Sequence, residues 1–237
     1  MACCSTDDAD GGFATPAAVV VSLAMALTTT AVLTASVADL KLARAELVQA
    51  QTQNTLAGAQ LQAWRTALGF DNANARARWI IADAVGPITV LAEAESAKTG
   101  LAAAEDLDDR AFAKLQITDL PDLKARLKAL TPAQALGPAL EQADASPIWG
   151  ACARSLFSEY GLSKTVQMAP AQAPTYNGVD LHAGEVWRVR VSLPDGWTDD
   201  RLVRFRGDAL NPAATLQRRY FKTNGESDPC DAVLNAS

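Results

Sequence analysis

The chain has 237 residues, a formal charge of −6, and 49% hydrophobic but only 6% aromatic residues. That length suffices for one domain with a real core plus an additional element, and its apolar material is mostly Ala, Val and Leu, which suits helices. The acidic balance argues against a nucleic-acid partner, because tracking phosphates needs a clustered excess of Lys and Arg.

After the acidic leader MACCSTDDAD comes GGF, and no charged residue occurs from Gly11 to Ala38. About 20 apolar residues span the hydrocarbon layer as a helix, so the run is long enough to cross. Thr15, Ser22, Thr28, Thr29, Thr30, Thr34 and Ser36 dilute it. Three readings stay open: a secretory signal removed after the small-x-small motif ending at Ala38, a plain membrane anchor, or the first half of a long helix that assembles with others. Residues 38–68 contain no Pro and place Leu40, Leu47, Leu61 and Leu68 at multiples of seven, which predicts helix. Leu42, Ala45, Val48, Leu56, Ala59 and Trp64 widen that stripe. It is expected to pack on a globular body while Lys41, Arg44, Gln51, Gln62 and Arg65 stay wet. The predicted helix runs over 13–69, with 13–38 as its membrane half, a rod of roughly 80 to 85 Å. Pro16 falls in its first turn, where a missing N–H costs least.

The segment 70–94 reads as β-rich, a hairpin turning at Gly86-Pro87 with Trp79, Ile81, Ile88 and Val90 available for packing. Residues 95–161 form a helical insert of four or five short helices. Their caps are Thr118 or Asp119, Thr131 before Pro132, and Ser146 before Pro147. Its expected core is Leu101, Leu107, Phe112, Leu115, Leu123, Leu127, Leu130, Leu136, Leu140, Trp149 and Phe157. Residues 162–237 read as sheet and tail. EVWRVRVSL alternates, with Trp187, Val189, Val191 and Leu193 on one face against Arg188, Arg190 and Ser192 on the other; PDGW is a turn, and RLVRFRG and ATLQRRYF return as further strands. Arg188, Arg190, Arg201, Arg204, Arg206, Arg218 and Arg219 interleave with Asp195, Asp199, Asp200 and Asp208, which reads as a solvated strand face. The predicted class is α+β: a long N-terminal helix, a short helical insert and a C-terminal antiparallel sheet.

Chemistry-bearing residues are sparse. The single histidine, His182, rules out a multi-histidine metal site and reads as a solvated loop residue, not as the base of a triad. No P-loop, G-x-S-x-G or G-x-G-x-x-G occurs, so no enzyme activity and no organic cofactor are expected. Calcium is the one ion to consider, with candidate carboxylates Glu226, Asp228 and Asp231 near the tail, Asp195, Asp199 and Asp200 in the hairpin, and Asp106, Asp108 and Asp109 in the insert. Acidic turns and helix N-termini explain the same groups without an ion. Cys152 and Cys230 read as either a disulfide pinning the tail, if the body lies outside the cytoplasm, or two buried thiols. The tryptophans read as core anchors, with Trp197 at a turn the one to watch as a partner contact.

A membrane-compatible half running unbroken into an amphipathic half resembles the plan of type IV pilins and pseudopilins. GGF before the apolar run looks like a prepilin peptidase site, which implies cleavage between Gly12 and Phe13 and methylation of Phe13. Most family members carry Glu five residues into the mature chain, where this sequence has Ala17. That departure resembles the minor pseudopilin K group of type II secretion, as does the order long helix, helical insert, terminal strands. The resemblance implies a pilin-like fold, a single-pass inner-membrane location with the C-terminal part in the periplasm, and a place at the tip of a pseudopilus. Its implied partners are other minor pseudopilins, the major pseudopilin and the prepilin peptidase. The alternatives are a minor pilin of a type IV pilus and a single-pass anchor bearing a periplasmic binding domain.

Overall fold

The computed structural model describes residues 14–71, 75–106, 109–117, 119–144, 146–166, 171–176, 182–206, 208, 210–223 and 230. The chain divides into two compact units, Met1–Gln53 and Asn54–Ser237, and the first helix contributes to both.

Helix α1 (Ala14–Ala67) is 54 residues without a break, about 80 Å at 1.5 Å per residue. Its composition explains its persistence, since Ala and Leu dominate and Pro16 sits where the first-turn N–H groups have no helical partner anyway. In the first unit the large apolar side chains are exposed, Leu33, Leu40 and Leu47 at 66%, 61% and 59%. Burial begins only in the second unit, with Leu56, Ala59, Ala63, Trp64 and Ala67. Of the expected stripe, Leu40, Leu42, Leu47 and Val48 are thus exposed, whereas Leu56, Ala59 and Trp64 are buried. A straight helix drifts by about 20° per heptad, so leucines spaced strictly by seven leave a common face over three or four repeats. The helix ends as Leu68, Gly69 and Phe70 turn back onto Trp64, Thr66 and Ala67 carbonyls at 3.0–3.1 Å.

The second unit holds a five-stranded antiparallel sheet in the order β1-β2-β5-β6-β7. Its strands are β1 (Arg76–Asp83), β2 (Gly86–Ala94), β5 (Val186–Ser192), β6 (Trp197–Phe205) and β7 (Ala213–Lys222), while two-residue strands β3 (Thr99–Gly100) and β4 (Phe157–Ser158) pair in parallel beside it. The β1–β2 turn is Ala84-Val85, not Gly86-Pro87 as the sequence suggests. Gly86 pairs with Asp83 and takes φ 113°, so the glycine supplies the left-handed corner that opens β2. The β5–β6 turn runs Leu193 to Trp197, and Gly196 at φ 90° approaches Thr223 so closely that a Cβ would collide with its carbonyl oxygen.

One sheet face carries Ile88, Val90, Ala92, Val189, Val191 and Val203 against the α1 row Leu56, Ala59, Ala63 and Ala67. The alanines let helix and strands approach, and buried Gln60 ties them together, its Nε2 donating to Val189 O at 3.1 Å and Asp199 O at 2.8 Å. Phe70 closes one end, edge-on to Trp79 with centroids 5.1 Å apart.

Between β2 and β5 lies the insert, which among the described residues has three α-helices, α2 (Leu120–Ala129), α3 (Pro132–Leu136) and α4 (Pro147–Leu156), and 3₁₀ turns over Glu95–Ala97, Leu101–Asp106 and Asp109–Leu115. Asp119 caps α2 by accepting from Asp122 N at 3.1 Å, and Ser146 caps α4 while its hydroxyl donates to Leu115 O at 2.7 Å. A separate core joins Phe112, Leu115, Leu123, Leu127, Leu140, Trp149 and Phe157, whereas Leu101 and Leu130 pack at its edge. Leu136 is only half-buried, and Leu107 lies outside the described residues.

Removing the anchor of the helix–sheet core should separate the two parts of α1. Leu56→Ala is expected to lower stability by about 2–5 kcal/mol, whereas Leu40→Ala should change it by no more than about 0.5 kcal/mol, both read by denaturant unfolding of the full chain in detergent.

Candidate functional site

The apolar part of α1 is long and hydrophobic enough to cross a membrane. Five of the hydroxyls that dilute the run, those of Thr28, Thr29, Thr30, Thr34 and Ser36, donate back into the helix. Thr29 and Thr30 donate to the carbonyls of Met25 and Ala26 at 2.7 and 2.8 Å, Thr34 to Thr30 at 3.0 Å, and Ser36 to Val32 at 2.8 Å. These five donors are thus satisfied within the helix, which is what a hydrocarbon surrounding demands. Ala17, at the position where the resembled family carries Glu, is exposed in the first turns of α1. The processing residues Gly12 and Phe13 lie outside the described residues.

Around Arg188 the second face of the sheet is not solvated, contrary to the reading of its arginines, whereas Arg204 and Arg206 are exposed as that reading has them. Arg188 is 5% exposed. Its Nε lies 3.2 Å from Glu95 Oε1 and its Nη1 3.4 Å from Asp200 Oδ2. Glu93, paired across strands with both Arg76 and Arg188, takes Arg76 Nε at 2.8 Å. Lys98 Nζ spends all three donors, on Glu93 Oε2 at 3.1 Å, Glu95 Oε1 at 2.6 Å and Arg154 O at 2.7 Å. Ser158 on β4 hydrogen-bonds Glu95 as well. From α4, Arg154 pairs with Glu141 and donates to Leu136 O and Gly137 O at 3.1 and 2.7 Å, and Glu141 also holds Arg219 on β7 at 2.6 Å. The insert is thereby joined to the sheet through an ionic layer, beside which Leu91 and Leu202 of the same sheet face are buried. A second layer covers Arg188, and sequence alternation alone does not reveal such a cover.

The electrostatics follow from this crowding. Burial pushes the Glu93 carboxyl up, but Lys98, Arg76, Arg190 and Arg188 together outweigh it and hold it well below the usual carboxylate range. Asp200 is likewise lowered, burial being overcome by Arg188, Arg190, Arg154 and Lys98. Burial works against the Arg188 cation, yet Asp200, Glu95 and Glu93 raise its pKa further. Arg154 is pulled down to about 10, by burial first and then by Arg188, because cations crowd it more than Glu141 relieves it.

On the opposite face Asp199 is fully buried and clamped by Arg201, with Nη2 at 2.6 Å, and by Arg218, with Nε at 2.9 Å. The hairpin carboxylates proposed for calcium are therefore dispersed. Asp199 and Asp200 point to opposite faces, each against arginine, and Asp195 accepts the Trp197 backbone N–H at 3.3 Å. No metal-holding group of three His, Cys, Asp or Glu occurs among the described residues. Asp108, Glu226, Asp228 and Asp231 lie outside them. His182 is buried, not solvated as its loop context suggests. Nδ1 sits 2.8 Å from Glu185 Oε2, Nε2 is 3.2 Å from Phe70 O, and the ring packs on Trp187 with centroids 4.8 Å apart. Trp197 is half-buried and stacks on Tyr220 at 4.7 Å. Cys152 on α4 and Cys230 form a disulfide with Cα atoms 4.8 Å apart, both buried in the insert core.

No protein-family model, curated protein or solved structure matches the chain. The class defined by fold and segments is thus the coarse one: an α+β body whose first helix extends into an exposed apolar stretch able to span a membrane.

Two outcomes follow from the ionic layer. Glu93 and Asp200 have folded pKa values below their unfolded ones, so their contribution is complete above about pH 4–5 and is lost as pH falls through the folded values. Stability of the body should fall in acid, and Glu93→Gln should flatten that dependence in unfolding curves taken across pH 2–6. Arg188→Met leaves Asp200 buried without its ion-pair partner and Glu95 with Lys98 alone, and is expected to cost about 3–5 kcal/mol at pH 7.

Proposed function

We propose that this protein is a membrane-anchored minor pseudopilin of the K type, or a close functional analogue. It is processed by a prepilin peptidase and joins other minor pseudopilins and the major pseudopilin in a pseudopilus that supports protein export. The observation that carries the reading is the single helix passing without punctuation from the apolar stretch, through residue 38, to the row that packs on the sheet. An anchor joined to its domain by a flexible linker has no need of such continuity; a subunit that slots sideways among similar helices does. The helical insert between the second and third strands of the main sheet, and Ala17 in place of an acidic residue, support the K type over other pseudopilins. The disulfide supports a body on the oxidising, periplasmic side of the inner membrane. The work is mechanical, and no catalytic residue is assigned.

The acidic leader, with Asp7, Asp8 and Asp10 where a basic one is usual before a membrane span, favours a second reading: an ordinary single-pass anchor with a periplasmic binding domain. A minor pilin of a type IV pilus shares the first reading's chemistry and differs only in host filament.

Sequencing the N-terminus of the membrane-extracted protein separates these readings. A chain beginning at methylated Phe13 is expected. One beginning at Met1 or Ala2 turns the assignment to the plain anchor, and one beginning at Asp39 turns it to a secreted product.

A further inference from the structure

The part of α1 that runs from the end of the membrane-compatible stretch toward the body carries a second pattern, which the sheet contacts do not use. Leu33, Leu40 and Leu47 recur every seven residues, and all three are about 60% exposed or more. With these at position a of a heptad, position d is Ser36, Ala43 and Ala50, small at each step. Val37, also exposed, takes position e and flanks the seam. A seven-residue apolar repeat with small partners is the pattern by which helices supercoil and approach closely.

We propose that the partner on this seam is a second copy of the same chain, paired parallel and in register. Charge supplies the choice of partner. In this frame Asp39 occupies position g and Arg44 the following position e, and in a parallel pair the g residue of one helix faces the e residue of the next heptad on the other. Two identical chains thus make the Asp39–Arg44 contact twice, once on each side of the seam. The next such positions, Glu46 and Gln51, bring no like charges together. Direction is set by the membrane: two copies inserted the same way present their helices only in parallel. The pairing rests on the membrane-spanning part of the proposed function and on nothing about a filament.

The test uses the full-length chain in native membranes, with Cys3→Ser and Cys4→Ser removing the leader thiols. Single substitutions Leu40→Cys, Leu47→Cys, Leu42→Cys and Ala45→Cys are then oxidised. Positions 40 and 47 should cross-link several-fold more than 42 and 45, to a product of twice the chain's mass. Asp39→Arg alone and Arg44→Asp alone should each reduce the Leu47→Cys cross-link, and the two together should restore it. Equal cross-linking at all four positions, no cross-linking, or a product containing a different protein would each overturn the pairing. Failure here with a methylated Phe13 leaves the pseudopilin reading standing; a self-cross-link on a chain that keeps Met1 sinks that reading and keeps the pair.

Discussion

Arg188 between Glu95 and Asp200 is the contact on which the body's architecture depends. It comes from the central strand of the sheet, and its two carboxylate partners come from the first turn of the insert and the neighbouring strand. Lys98 and Glu93 extend the same layer, and Arg154, Glu141 and Arg219 carry it to α4 and the edge strand. Such a layer adds less net stability than apolar packing of equal volume, because every charge must be taken out of water. It does penalise any other placement of the insert, since a shifted insert would strand charges in a dry interface. The helix side of the sheet is the complement: alanines and β-branched residues, with one amide, Gln60, setting the position of α1 along the strands.

Legibility in the sequence followed how local the cause was. The alternation of Trp187, Val189 and Val191 announces β5 because a strand's two faces are written in every second residue. Asp119 and Ser146 announce α2 and α4 because a cap acts three residues ahead. What covers the polar face of a strand is not local. Glu95 lies 93 positions from Arg188, and nothing near either residue encodes their meeting. His182 misled for the same reason: its loop looks wet, but Phe70 from the end of α1 and Trp187 from the start of β5 close over it. The leucine heptad misled differently, through geometry: its period is real, but a straight helix cannot keep it on one side for four repeats.

The candidate functional segment was the most legible part, because a membrane span is a matter of length and apolarity. The sequence left open how its threonines are accommodated, and back-bonding to preceding carbonyls answers that locally. It also left open whether the helix stops at the end of the apolar run. Helix α1 does not stop there, and it exposes apolar side chains well past residue 38.

The Cys152–Cys230 bond closes a covalent ring over 78 positions, and β5, β6 and β7 all lie inside it. Tension applied from the C-terminal end therefore meets a sulfur–sulfur bond before it can peel the edge strand away. A thread pulled from that side comes up against a knot, and the three strands behave as a stitched panel, not as a row of separable ribbons.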